Sequence, residues 1–191
     1  AVPDAGIGLT PRPRGFAVVS IDYSVASVGL LDASGAVKTR ELVHSGSTRA
    51  GLVAALSGDV LLPTRSEDSG VLVLIDRFRT DVITRIDLAT GNVLGQVKTH
   101  APNSQSSDSF TSNPYDYVYL DEDTAWVSRY EPNPTAPSGD RGTDLLRIDP
   151  TDFTRSDERI DFSKWHGEAT RANPDTGATE TITVYARPAG M

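Results

Sequence analysis

Three histidines, His44, His100 and His166, stand 12, 13 and 17 residues after Asp32, Asp87 and Asp149, each of which closes an apolar run. Three imidazoles at a similar distance from a recurring landmark suit zinc or copper, provided that the fold brings all three within bonds of about 2 Å of one point. Carboxylate-rich turns are a second candidate: Asp121-Glu122-Asp123-Thr124, Ser66-Glu67-Asp68-Ser69 and Ser138-Gly139-Asp140-Arg141-Gly142-Thr143-Asp144. Such turns offer the hard oxygen ligands that calcium takes. Asp121 and Asp123 carry that reading, but no Gly follows Asp123 where the calcium-loop motif needs one, so a solvated hairpin turn is the plainer account. The third candidate is the polar and aromatic stretch Ser109 to Tyr117, with Arg129-Tyr130-Glu131 after the next apolar run. Tyr115, Asp116 and Arg129 are the residues to expect at a ligand. In the alternative, Tyr115 and Tyr117 pack between sheets and Asp116 pairs locally with Arg129.

Other chemistries are excluded or unsupported. The chain has no Cys, which removes disulfides, thiolate metal sites and Cys nucleophiles. It holds no G-x-S-x-G elbow, Walker loop or H-E-x-x-H, and Gly6-Ile7-Gly8 lacks both the third Gly and a preceding strand. No resident cofactor is expected, calcium being the one weak exception. The formal charge is -8 with 18 Lys and Arg spread singly, so phosphate backbones are repelled rather than neutralised and nucleic acid is not an expected partner. No apolar run approaches the roughly 20 residues that cross a bilayer, so membrane insertion by these residues is not expected either.

The elements that must position these side chains are strands. From Gly15 onward short β-branched or aromatic runs alternate with turn signals, and helical periodicity is weak. Several runs are apolar on both parities, as in Val71-Leu72-Val73-Leu74-Ile75, which requires cover on both faces. One unit recurs: an apolar run, Asp, a turn residue, then another run. It is written Gly29-Leu30-Leu31-Asp32-Ala33-Ser34-Gly35-Ala36-Val37, again Arg85-Ile86-Asp87-Leu88-Ala89-Thr90-Gly91-Asn92-Val93, and more loosely Arg147-Ile148-Asp149-Pro150-Thr151-Asp152-Phe153-Thr154. In each the Asp accepts bonds from amides two or three residues on, and Gly supplies positive φ where present. Repetition at a few tens of residues points to stacked units.

The segment Arg79-Thr80-Asp81-Val82-Ile83-Thr84-Arg85-Ile86-Asp87-Leu88-Ala89-Thr90-Gly91-Asn92-Val93-Leu94-Gly95-Gln96-Val97 resembles the repeat of YVTN-type bacterial β-propeller proteins. The third unit departs from that pattern, with Pro150 in the corner and no Gly. The resemblance implies an all-β propeller of four-stranded antiparallel blades, in a class common among exported and cell-surface proteins and tied to no single activity. Residues 1–14, rich in Pro and Gly, form a linker or tail, either an ordinary frayed terminus or the spacer that follows a removed export signal or lipid anchor. Residues 15–191 form one domain, with blades at about 15–45, 59–98 and 114–163 and the start of a further blade near 181–191. Trp126 and Trp165 are expected to fill blade interfaces rather than stack on sugars or bases, with an exposed loop as the alternative for Trp165 beside His166. The histidines then lie on the rim, where diverging blades hold them apart.

About three blades do not close a ring of the usual four to eight, so another chain or the remainder of the propeller is the expected partner. The function expected is a non-enzymatic, extracytoplasmic binding or assembly module, periplasmic, cell-surface or secreted. Two alternatives stay open: a lactonase-like hydrolase or quinoprotein-like oxidoreductase completed by further blades, and a purely structural envelope or filament subunit.

Overall fold

The structure, a computed structural model, describes residues 14–67, 70–77, 80–100, 111–133 and 140–188. Most of the expected linker, residues 1–13, and the last residues of the expected further blade, 189–191, therefore lie outside the described residues. The described chain is all β apart from one 3-10 turn at Ser163–Trp165.

Two four-stranded antiparallel meanders form the centre. One runs β4 (Val60–Leu61), β5 (Val71–Asp76), β6 (Val82–Asp87) and β7 (Val93–Lys98). The other runs β8 (Pro114–Asp121), β9 (Thr124–Arg129), β10 (Asp144–Asp149) and β11 (Thr154–Asp161). Before them β1 (Gly15–Ile21), β2 (Ala26–Asp32) and β3 (Val37–His44) make a three-stranded sheet, and after them β12 (Gly167–Ala172) and β13 (Thr179–Val184) make a hairpin.

Hydrogen bonds explain the recurring corner. Asp32 Oδ1 accepts from the amides of Ser34 and Ala36, and Asp87 Oδ1 from those of Ala89 and Thr90. Gly35 and Gly91 follow with φ of 86° and 73°. At the third corner Asp149 Oδ1 accepts from Thr151 and Asp152, but the left-handed position is held by Phe153 at φ 51°. Phe153 compensates through packing. Its ring enters the core and lies under the Arg85 guanidinium, where Gly95 leaves room that a Cβ, 2.9 Å from the ring, would take.

A fourth corner of the same chemistry joins β12 to β13. Asn173 Oδ1 accepts from the amides of Asp175 and Thr176, and Gly177 follows at φ 70°. Asn173 takes the place of the corner Asp, with Thr176-Gly177 spaced as Thr90-Gly91 is after Asp87. The strand before it was not expected, because Gly-Glu-Ala-Thr-Arg-Ala has no apolar alternation, and all six residues of β12 are exposed. Residues 181–184, expected to begin a further blade, lie in β13 and pair with β12.

The sheets stack as layers. Leu72, Leu74 and Ile86 pack on one side of the middle sheet with Ala26, Val28 and Val43 of the first. Val73, Ile75 and Ile83 pack on the other side with Tyr117, Val127, Leu146 and Ile148. Adjacent residues of β5 thus enter different cores, which is why that run is apolar on both parities. Neighbouring layers touch through β1 and β4, β5 and β8, and β7 and β11. The far faces of the outer layers carry apolar ladders: Phe16–Leu31–Val37 on one, with Phe16 and Val37 half exposed, and Leu145–Ile160 on the other.

Candidate functional site

Tyr115, Asp116 and Arg129 come together at the start of β8 and the end of β9, where Pro114 pairs with Arg129 and Asp116 with Ser128. Their environments differ sharply. Arg129 is fully buried and holds Asp144 through a bidentate fork, Nε to Oδ1 at 2.7 Å and Nη2 to Oδ2 at 2.5 Å. Its Nη1 donates to Asp140 Oδ1 at 2.5 Å and to the Thr99 carbonyl at 3.0 Å. The guanidinium therefore ties β9 to the start of β10, to the segment before it and to the residue after β7.

The expected Asp116–Arg129 pair is not formed. The register that sets Leu145 opposite Ser128 places Asp144 beside Arg129, while Asp116 accepts from the Thr64 amide at 2.9 Å and hydroxyl at 2.7 Å. Asp116 joins the β4–β5 connection to β8. Arg155 Nη1 and Arg159 Nη2 stand 3.6 and 3.8 Å from Asp140, so three guanidiniums surround two carboxylates.

Tyr115 is the accessible member, 39% exposed. Its ring stacks on Tyr130 at 5.7 Å, with the Arg77 guanidinium 5.8 Å from the Tyr115 centroid and Arg187 4.6 Å from that of Tyr130. Asp59 pairs with Arg77 at 2.6 Å and Glu131 with Arg187 at 3.4 Å. Two rings between two guanidiniums make a rigid surface of the residue types that anchor protein interfaces.

The histidines do not share a site. His44 Nδ1 accepts from the Gly46 amide, His100 Nε2 lies 3.8 Å from Asp81, and His166 meets the Tyr185 ring edge-on at 4.9 Å. Among the described residues no group of three or more His, Asp or Glu is placed to hold a metal ion. Asp121 Oδ1 accepts from the Asp123 amide in the exposed β8–β9 turn, the geometry of a hairpin corner. Of the other acidic turns, Asp68, Ser69, Ser138 and Gly139 lie outside the described residues. Trp165 does not fill an interface: it is 57% exposed on the 3-10 turn, with Lys164 over its ring.

Among the buried carboxylates that the sequence did not mark as such are Glu67 and Asp81. Glu67, read as part of an acidic turn, is buried, pairs with Arg85 at 2.9 Å and accepts from the Tyr117 hydroxyl at 2.9 Å. Its only signal was the need of a cation inside an apolar strand for an anion. Asp81, in left-handed backbone at φ 51°, accepts at Oδ1 from Thr111 Oγ1 and the Asn113 amide.

Burial raises the Asp81 carboxyl above the ordinary aspartate range, and the bonds from Thr111 and Asn113 offset this only in part. A pKa higher in the folded than in the unfolded chain favours the fold at low pH, and that contribution is lost as pH rises through the folded value. Asp81→Asn keeps an oxygen for both donors. It is expected to be more stable than the parent at pH 7 and to lose less urea stability as pH rises above the ordinary aspartate range. The same slope in both proteins would exclude this assignment.

No protein-family model matches the chain, and no curated protein matches it. The site has ion pairs locked inside and an aromatic and guanidinium surface outside.

Proposed function

We propose that the chain is an arc of a YVTN-type β-propeller, acting outside the cytoplasm as a non-enzymatic binding and assembly module for a protein or polymer partner. The observation that carries this reading is the stack itself. Its middle sheet is buried on both faces, while both outer sheets present apolar ladders to solvent.

The relation between layers supports a rotation about one axis. Aligned at the corners of Asp32 and Asp87, β1 corresponds to β5, and the contact of β1 with β4 is repeated by that of β5 with β8. The Phe16–Leu31–Val37 and Leu145–Ile160 ladders are then faces for further sheets of the same repeat, and the Tyr115–Tyr130 column is the surface offered to the partner. The buried cations are engaged with carboxylates, which favours binding over catalysis.

Native mass and electron microscopy of the complete particle test the proposal. Wedge-shaped blades around a channel are expected, with each ladder covered by a sheet. A linear stack, or a single unassociated 191-residue species that stays folded, would overturn it.

A further inference from the structure

A cleft of about 440 Å3 opens at one end of the strands of the first sheet, on the same open face as the Phe16–Leu31–Val37 ladder but at the opposite end of β1. That volume is within the roughly 300–1,000 Å3 of small-ligand sites. Pairing sets Ser20 opposite Ser27 and Ser27 opposite His44, so three polar side chains form a ladder across β1, β2 and β3. Glu41 joins them from β3, and Ile21 and Val25 supply apolar wall. Among the described residues no hydrogen bond or ion pair engages the side chains of Ser20, Ser27 or Glu41.

Ser27, His44 and Glu41 are the residue types of a serine hydrolase, but the imidazole is set against that use. Its Nδ1 accepts from the Gly46 amide at 3.0 Å, so in the neutral ring the proton sits on Nε2. A base needs the opposite tautomer, with Nδ1 donating and Nε2 free to take the serine proton. His44 is thus a donor in a binding site.

We propose that this cleft binds a neutral sugar ring. Glu41 can accept from adjacent sugar hydroxyls, His44 Nε2–H can donate to a sugar oxygen, and the two serines can do either, with Ile21 and Val25 against the C–H face. Phosphates and acidic sugars are repelled by Glu41 and Asp22. An ammonium gains nothing from the imidazole donor, and Asp22 Oδ1 is occupied by the amides of Ser24 and Val25. The inference rests on this sheet alone and does not require the propeller reading.

The test is amide NMR titration of the native protein with glucose, galactose, mannose and N-acetylglucosamine, alongside cadaverine and inorganic phosphate. At least one neutral sugar is expected to give saturable shifts confined to the neighbourhood of residues 20, 27, 41 and 44, with millimolar affinity. Glu41→Ala and Ser27→Ala, each with an unchanged melting temperature, are expected to weaken binding about tenfold. Three outcomes overturn the proposal: no sugar gives saturable shifts, both variants bind as well as the parent, or cadaverine or phosphate takes the cleft instead.

Discussion

Replacing Arg129 with leucine is expected to destabilise the protein by about 3–5 kcal/mol, because it removes the cation that hydrogen-bonds two buried carboxylates. Asp140 and Asp144 have side chains only 9% and 4% exposed. Neither can recover its hydration without opening the structure. Arg155 and Arg159 do not replace the lost partner, since their nearest approaches, 3.6 to 3.9 Å, are ion pairs without a hydrogen bond. Lysine would also fall short. Its ammonium cannot reproduce the two parallel bonds to Asp144 while also reaching Asp140 and the Thr99 carbonyl.

Urea denaturation should show the midpoint of Arg129→Leu falling with little change in slope. Adding Asp144→Asn should recover part of the loss, because a neutral amide is cheaper to bury than an unpaired carboxylate. A loss below about 1 kcal/mol would mean that the carboxylates reach water, and that Arg129 is free to serve a ligand.

Leu74→Ala and Ile75→Ala should each cost about 2–5 kcal/mol, although the two residues are neighbours in one strand. Both are fully buried, Leu74 in the core shared with the first sheet and Ile75 in the core shared with the third. In a sheet with one wet face, one of such a pair would be tolerant. Val18→Ala, on the open face of the first sheet and 42% exposed, should stay within about 0.5 kcal/mol. Because the two cavities open in different cores, the cost of the double variant should come close to the sum of the single ones. A tolerant Leu74 or Ile75 would mean that one of the layers is not packed as described.

Much of the strand pattern was legible in the residues. Asp32, Asp87 and Asp149 announced their corners because an Asp carboxylate meeting amides two to four residues on is a local event. Val71 to Ile75 announced a sheet covered twice, because no other arrangement dries both parities. The corner at Asn173 passed unnoticed since Asn accepts from the same amides as Asp without matching its letter, and β12 since an exposed strand carries no apolar signature.

The candidate site was less legible, for a reason that Arg129 illustrates. Its type and neighbourhood suggested a ligand or a local carboxylate, and which anion it meets depends on the register of β9 against β10 and on where residues 140–144 return. Likewise Glu67, Arg85 and Tyr117 lie up to 50 residues apart in the chain and meet only once the middle and third sheets stack. What the sequence determined by itself was short-range: strands, corners, an acidic surface and the absence of thiol chemistry. Only the tertiary structure decided which charges are paired, which aromatic face stays open and which polar groups line the cleft at His44. Those outcomes are set by contacts between layers, whose partners no local spacing encodes.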